Sequence, residues 1–173
     1  MARFRAAAGA FRDGAGPGAH VVLCVNEGNG AGLISWPSLE QLADQLLRDG
    51  TADELGVDFY DQWPPAPTAD EFAARVDAGR RGSIGWWARF AQDRGAKVSV
   101  PEWGCGRNDP PGQWAGHAGG DNPAYITGMI AWFREHAHLI GCESYFAEPA
   151  PYIACDLTTQ MPRSRAAYVA GLR

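Results

Sequence analysis

Glu102, Tyr60 and the acidic groups that accompany them are the residues whose types and spacing could do chemistry. Glu102 follows a run of β-favouring residues, Lys97-Val98-Ser99-Val100, and sits between Pro101 and Trp103-Gly104. Val98 and Val100 have the β-branched character of a buried strand, and Gly95 ends the helix-like stretch before them. Pro101 has no amide hydrogen and suits a strand end or edge, so Glu102 is expected where the strand stops. That end of a parallel barrel strand is where catalytic groups are displayed. Taken alone, a strand-end glutamate reads as a solvated or capping residue, so its company decides. Asp58, Tyr60 and Asp61 crowd the end of a second strand-like run, Leu55 to Tyr60. Asn26 and Glu27 end a third, His20 to Val25.

The elements that must position these groups alternate. Phe4, Ala8 and Phe11 recur at helical spacing, and Gly14, Gly16 and Gly18 stop that helix. His20 to Val25 is a continuous apolar run, expected as a parallel strand buried on both faces. Ser38 with Gln41 has the form of a capping box, opening a helix closed by Gly50. Thr68 with Glu71 forms a second box before a helix through Val76, and Trp86 to Arg94 is a further helical stretch. Asn122 with Pro123 opens a helix whose buried stripe is Ile126, Met129, Ile130 and Phe133. Leu139 to Phe146 is the last strand, and Arg163 to Leu172 a closing helix. Gly104 to Gly120 is a long loop rich in glycine and proline, which favours a functional loop over a connector.

A leading helix followed by four strand and helix units implies a parallel sheet. The predicted class is α/β, a partial (β/α)8 TIM barrel. A complete barrel takes about 250 residues, or roughly 31 per unit, so 173 residues describe half of one. The net charge of −5 and the absence of a basic stripe argue against nucleic acid and against polybasic membrane attachment. No stretch is long and apolar enough to span a bilayer, and the first residues contain no apolar core of signal-peptide length. Cys24, Cys105, Cys142 and Cys155 lack zinc-ligand spacing. Their even number permits disulfides, with Cys142 and Cys155 the nearest pair, or free thiols.

Several segments resemble one family. Phe4-Arg5 through Phe11-Arg12, Cys24-Val25-Asn26, Gly56-Val57-Asp58-Phe59-Tyr60-Asp61, Pro101-Glu102-Trp103-Gly104 and Gly119-Gly120-Asp121-Asn122-Pro123 resemble the C-terminal half of glycoside hydrolase family 26-like enzymes. These are β-mannanase-type proteins of clan A, and the likeness is strongest from Gly56 to Tyr145 and weakest between Ala31 and Leu55. The resemblance implies strands five to eight of the barrel, with Glu102 matching the nucleophile and Tyr60 a tyrosine hydrogen-bonded to it. It implies a general acid/base on a glutamate after the fourth strand, which would precede Met1. It also implies retaining hydrolysis of a polysaccharide or oligosaccharide outside the cell, with no metal and no organic cofactor.

Spacing tests an alternative in which Glu27 is the acid/base. Glu27 lies 75 positions before Glu102 (102 − 27), nearer two units of roughly 31 residues than three. Asn26 then belongs to the fifth strand and supports the site. Retaining hydrolysis needs two carboxyls about 5–5.5 Å apart, and a phenol donating to Glu102 would stabilise a negative carboxylate. Tyr60 either plays that part or satisfies a backbone carbonyl in the barrel wall. Asp58 is a candidate substrate contact or a loop cap.

Among the tryptophans, Trp86, Trp87 and Trp132 fall on helices and are expected to pack. Trp63, Trp103 and Trp114 follow strand ends, where flat indoles can stack on sugar rings. Sugar contact is the favoured reading for Trp103, and packing is equally open for Trp63 and Trp114. Tyr145 is a further platform or a core residue, and His117, in the long loop, reads first as a solvated loop histidine and second as a substrate contact. Two competing functions stand beside the hydrolase: a non-catalytic glycan-binding half-barrel, and another clan A glycosidase using Glu27. Open edges of buried strands pair or aggregate, so self-association is expected.

Overall fold

The computed structural model describes residues 2–16, 18–27, 35–106, 115–149 and 155–173. The order is α1 (Ala2–Ala15), β1 (Val22–Asn26), α2 (Trp36–Arg48), β2 (Glu54–Asp61), α3 (Ala69–Val76), α4 (Ile84–Gln92), β3 (Lys97–Cys105), α5 (Pro123–Glu135), β4 (Ile140–Tyr145) and α6 (Pro162–Gly171). The strands form one sheet in sequence order, β1-β2-β3-β4, and every neighbouring pair is parallel. Parallel neighbours consecutive in sequence, joined through helices, make an α/β barrel wall, here a partial (β/α)8 barrel. No helix among the described residues is long and apolar enough to cross a membrane.

Local sequence explains most helix starts. Thr68 and Glu71 form a reciprocal capping box at α3, and Ser83 caps α4. Asn122 accepts from the amides of Ala124 and Tyr125, with Pro123 at the first helical position. The α2 cap is corrected to Ser35, whose side chain accepts from the Ser38 amide. Trp36 and Pro37 tolerate the first turn, so the helix starts before the Ser38 box. Asp121 accepts from the amides of Arg163 and Ser164 at the start of α6, although it precedes α5 in sequence.

The two faces of the sheet differ in chemistry. Leu23, Leu55, Val57, Phe59, Val98, Val100 and Trp103 face the helices and join one core with Leu46, Ile84, Trp87, Tyr125, Ile126 and Met129. Trp87 and Trp132 are buried in that core, as their helical placement predicts. The opposite, concave face carries Cys24, Asn26, Glu54, Gly56, Asp58, Tyr60, Ser99 and Glu102. Gly56 permits close approach there, since a Cβ would sit 2.7 Å from Val22 Cγ1 and 3.1 Å from Cys24 Sγ. The expectation of a first strand buried on both faces is corrected. β1 is an edge strand starting at Val22, and Cys24 and Asn26 are exposed on the concave side. All four cysteines are free thiols.

Candidate active site

β3 does not stop at Glu102 but runs three residues further, to Cys105. Pro101 is accommodated inside it because the ladder is irregular there. Gly56↔Ser99 is followed by Phe59↔Trp103, so three steps on β2 span four on β3. Val100↔Glu143 is followed by Trp103↔Tyr145, three steps on β3 against two on β4. At the stretch containing Pro101 and Glu102, β3 therefore carries one extra residue against β2, and one against β4 that offsets an extra residue of β4 opposite Val98 to Val100. A bulge needs no amide from the proline and re-aims the side chains that follow. Strict alternation would put Glu102 on the side of Val98 and Val100. The extra residue turns it to the concave side, where Ser99 Oγ already bonds Glu54.

On that side the Tyr60 hydroxyl donates to Glu102 Oε2 at 2.8 Å. Burial and then the Glu102 carboxylate push the Tyr60 phenol far above its ordinary range, so the proton stays on oxygen and the bond keeps its direction. Phe146, just past β4, packs edge-on to Tyr60 with ring centroids 6.0 Å apart. Asp58 stands one turn of the pleat earlier on β2 and accepts from the Cys24 thiol at 3.1 Å. Its carboxyl is raised above the usual range chiefly by burial, with the Glu102 charge adding and the thiol opposing. Asn26 is paired in register with Asp58 and completes the row across β1.

Beneath Tyr60 lies a buried ion network. Arg75 on α3 is 5% exposed, donates to the Tyr60 carbonyl at 2.9 Å and contacts Asp61 Oδ1 at 3.5 Å. It also bonds Glu27 Oε2, while Arg80 holds Glu27 Oε1 at 3.0 Å. Asp61 is fully buried and accepts from the Ala66 amide and the Asn122 side chain, each at 2.7 Å. The network fixes the backbone that presents Tyr60. It also occupies both oxygens of Glu27, one held by Arg75 and the other by Arg80.

The aromatic candidates separate. Trp103 is 1% exposed, packs among Tyr125, Phe133, Tyr145 and Tyr168, and donates from Nε1 to Glu143 at 2.6 Å. The expectation of sugar contact by Trp103 is therefore corrected. Because β3 continues past it, Trp103 must alternate with Glu102, and the indole enters the helical shell. Tyr145 is half-buried against Trp103 and Tyr168, with its hydroxyl donating to the Cys155 carbonyl at 2.9 Å. Its packing alternative is the one adopted. Trp63 is exposed at the carboxyl end of β2, stacked on His117. Trp114 lies outside the described residues.

Two contributors escaped the sequence reading, Cys24 and Phe146. The alternation of Cys24 with Asn26 on β1 was the available signal for the first. Phe146 follows directly on the last strand and gave none.

No family model matches the chain, and no curated protein matches it in sequence. Among solved structures, an endo-beta-1,4-glucanase from Xanthomonas axonopodis pv. citri aligns with a TM-score of 0.54 at 10% identity, over 96% of this chain and 52% of that one. A triply substituted form of another endo-beta-1,4-glucanase from the same organism aligns with a TM-score of 0.53 at 12% identity, over 97% of this chain and 63% of that one. The chain spans 52% and 63% of the length of these two structures. At such identity the likeness is one of fold, and what the chain shares with these glycoside hydrolases is a partial (β/α)8 barrel.

Proposed function

We propose that this chain is the nucleophile-bearing portion of a retaining glycoside hydrolase that acts on a β-linked polysaccharide. The observation that carries the reading is the hydrogen bond from Tyr60 to Glu102 Oε2, 2.8 Å, on the concave face near the carboxyl ends of β2 and β3. Barrel enzymes assemble their chemistry at that end. Glu102 attacks the anomeric carbon, the glycosidic bond breaks, and a covalent glycosyl-enzyme forms that water then hydrolyses. Tyr60 keeps its proton and orients the carboxylate. Asp58 and Asn26, in the same row, are assigned to sugar hydroxyls.

The leaving oxygen needs a protonated partner about 5–5.5 Å from the nucleophile. Glu27 is committed to Arg75 and Arg80. We assign the acid/base to a glutamate on a strand preceding β1 in a longer parent, as the family resemblance implies. Mannan is the substrate suggested by that resemblance and β-1,4-glucan the one suggested by the structural neighbours, with the parent working outside the cell. A second reading, a non-catalytic glycan-binding half-barrel, draws on the same commitment of Glu27.

Release of 2,4-dinitrophenol from aryl β-mannosides and β-cellobiosides tests this, because an acidic phenol leaves without protonation. Missing acid catalysis costs about 10²–10⁴ in rate, so polymeric mannan and glucan should be cleaved barely at all. Slow release from the aryl substrates should fall at least about 10³-fold in Glu102→Ala. Cleavage that survives Glu102→Ala removes the assignment, and glycan binding without any release selects the second reading.

A further inference from the structure

We infer that the Trp63 indole, backed by His117, is a subsite for one pyranose ring of a β-linked oligosaccharide. The inference rests on the glycan-directed reading above and names a place for it. Trp63 is 57% exposed and is the one exposed indole among the described residues. It follows Tyr60 by three positions, at the same end of β2. The His117 imidazole covers one face of the ring, with centroids 3.6 Å apart and planes 16° from parallel. The exposure therefore belongs to the other face and the rim.

The backbone beneath is held in a conformation that needs support. Trp63 has φ 53, the one positive φ at a non-glycine among the described residues. For a bulky side chain such a conformation is unfavourable and persists only when its surroundings impose it. The surroundings do so. The Trp63 amide donates to the His117 carbonyl at 2.9 Å, the Gly119 amide to the Asp61 carbonyl at 2.9 Å, and Gln62 bridges antiparallel to Ala118. Gly119 has no room for a side chain, since a Cβ would lie 1.7 Å from Asp61 Oδ2. These bonds hold a flat apolar ring out in solvent, which folding alone does not reward.

A ligand that covers the ring accounts for the cost, and the ring's form selects the ligand. A rigid indole gives large contact area at small entropic cost and suits the C–H face of a sugar. Among the described residues Trp63 is a single exposed ring, too small for a protein interface, which needs a contiguous patch. The net charge of −5 disfavours a phosphate-bearing base.

Calorimetric titration of the full chain with cellohexaose and mannohexaose decides the matter. Trp63→Ala should bind the preferred hexaose about tenfold more weakly, equivalent to about 1.4 kcal/mol. Trp63→Phe should recover most of the affinity, and His117→Ala should lose about threefold as the indole loses its backing. Unchanged circular dichroism and melting temperature in Trp63→Ala are expected because its ring is exposed, and they separate lost contact from lost fold. Native affinity in Trp63→Ala overturns the subsite while leaving the glycan reading intact. Failure of the native chain to bind either hexaose overturns both.

Discussion

Leu55, Val57, Phe59, Val98, Val100 and Trp103, on the helix-covered face of the sheet, are each no more than 1% exposed. On the concave face, Cys24 and Asn26 are exposed, and Asp58 and Glu102 are part-buried among polar partners. One face is a close-packed interior where volume matters. The other holds ionisable groups by specific hydrogen bonds, Tyr60 to Glu102 and Cys24 to Asp58. The boundary between them runs between adjacent residues of β3. Glu102 and Trp103 share a peptide bond, yet one faces the concavity and the other the shell. Mutations at the two should therefore fail in different ways.

The largest effect on stability is expected at Trp103. Trp103→Ala empties a fully packed site and should cost about 3–5 kcal/mol in denaturant unfolding. A loss below about 1 kcal/mol would erase the distinction between the faces. Tyr60→Phe sharpens the contrast from the other side. It removes one hydrogen bond to a charged group, worth about 1.5–3 kcal/mol, so turnover of an activated aryl glycoside should fall roughly 10- to 100-fold. Its melting temperature should fall less than that of Trp103→Ala, because the ring and its contact with Phe146 remain. A large loss of stability with unchanged turnover would make Tyr60 a core residue.

The smallest effect belongs to neither face and serves as a reference. Asp156, between β4 and α6, is held down to about 2 by bonds from Thr159 first and Thr158 next. A carboxyl depressed from its ordinary 3.8 lends stability above that value and loses it as pH falls toward 2. The melting temperature should therefore drop between pH 5 and pH 2.5, and drop less in Asp156→Asn. An equal drop in the variant would place the acid sensitivity elsewhere.

Much of the architecture was legible because local signals agreed with it. The capping box at Thr68, the Asn122-Pro123 start and the apolar periodicity of α5 survive intact, and the alternation of elements fixed a parallel sheet. The meeting of Tyr60 with Glu102 was expected from residue type and resemblance. The extra residue at Pro101 and Glu102 was not legible, since a bulge is defined by what lies opposite on two other strands. Placing Trp103 beside the site followed from ending the strand at Glu102. The true strand runs on, and alternation sends the indole inward. The ion pairs of Glu27 were not legible for a similar reason, because its partners Arg75 and Arg80 lie 48 and 53 positions away, beyond the reach of any local pattern.

Covalent capture tests the central claim most directly. Incubation with a 2,4-dinitrophenyl 2-deoxy-2-fluoroglycoside, which needs no acid to form the glycosyl-enzyme and resists its hydrolysis, should add one sugar to the chain. Peptide mass spectrometry should find that sugar on Glu102, and Glu102→Gln should remain unlabelled. A sugar attached to any other residue, or equal labelling of Glu102→Gln, would contradict the account.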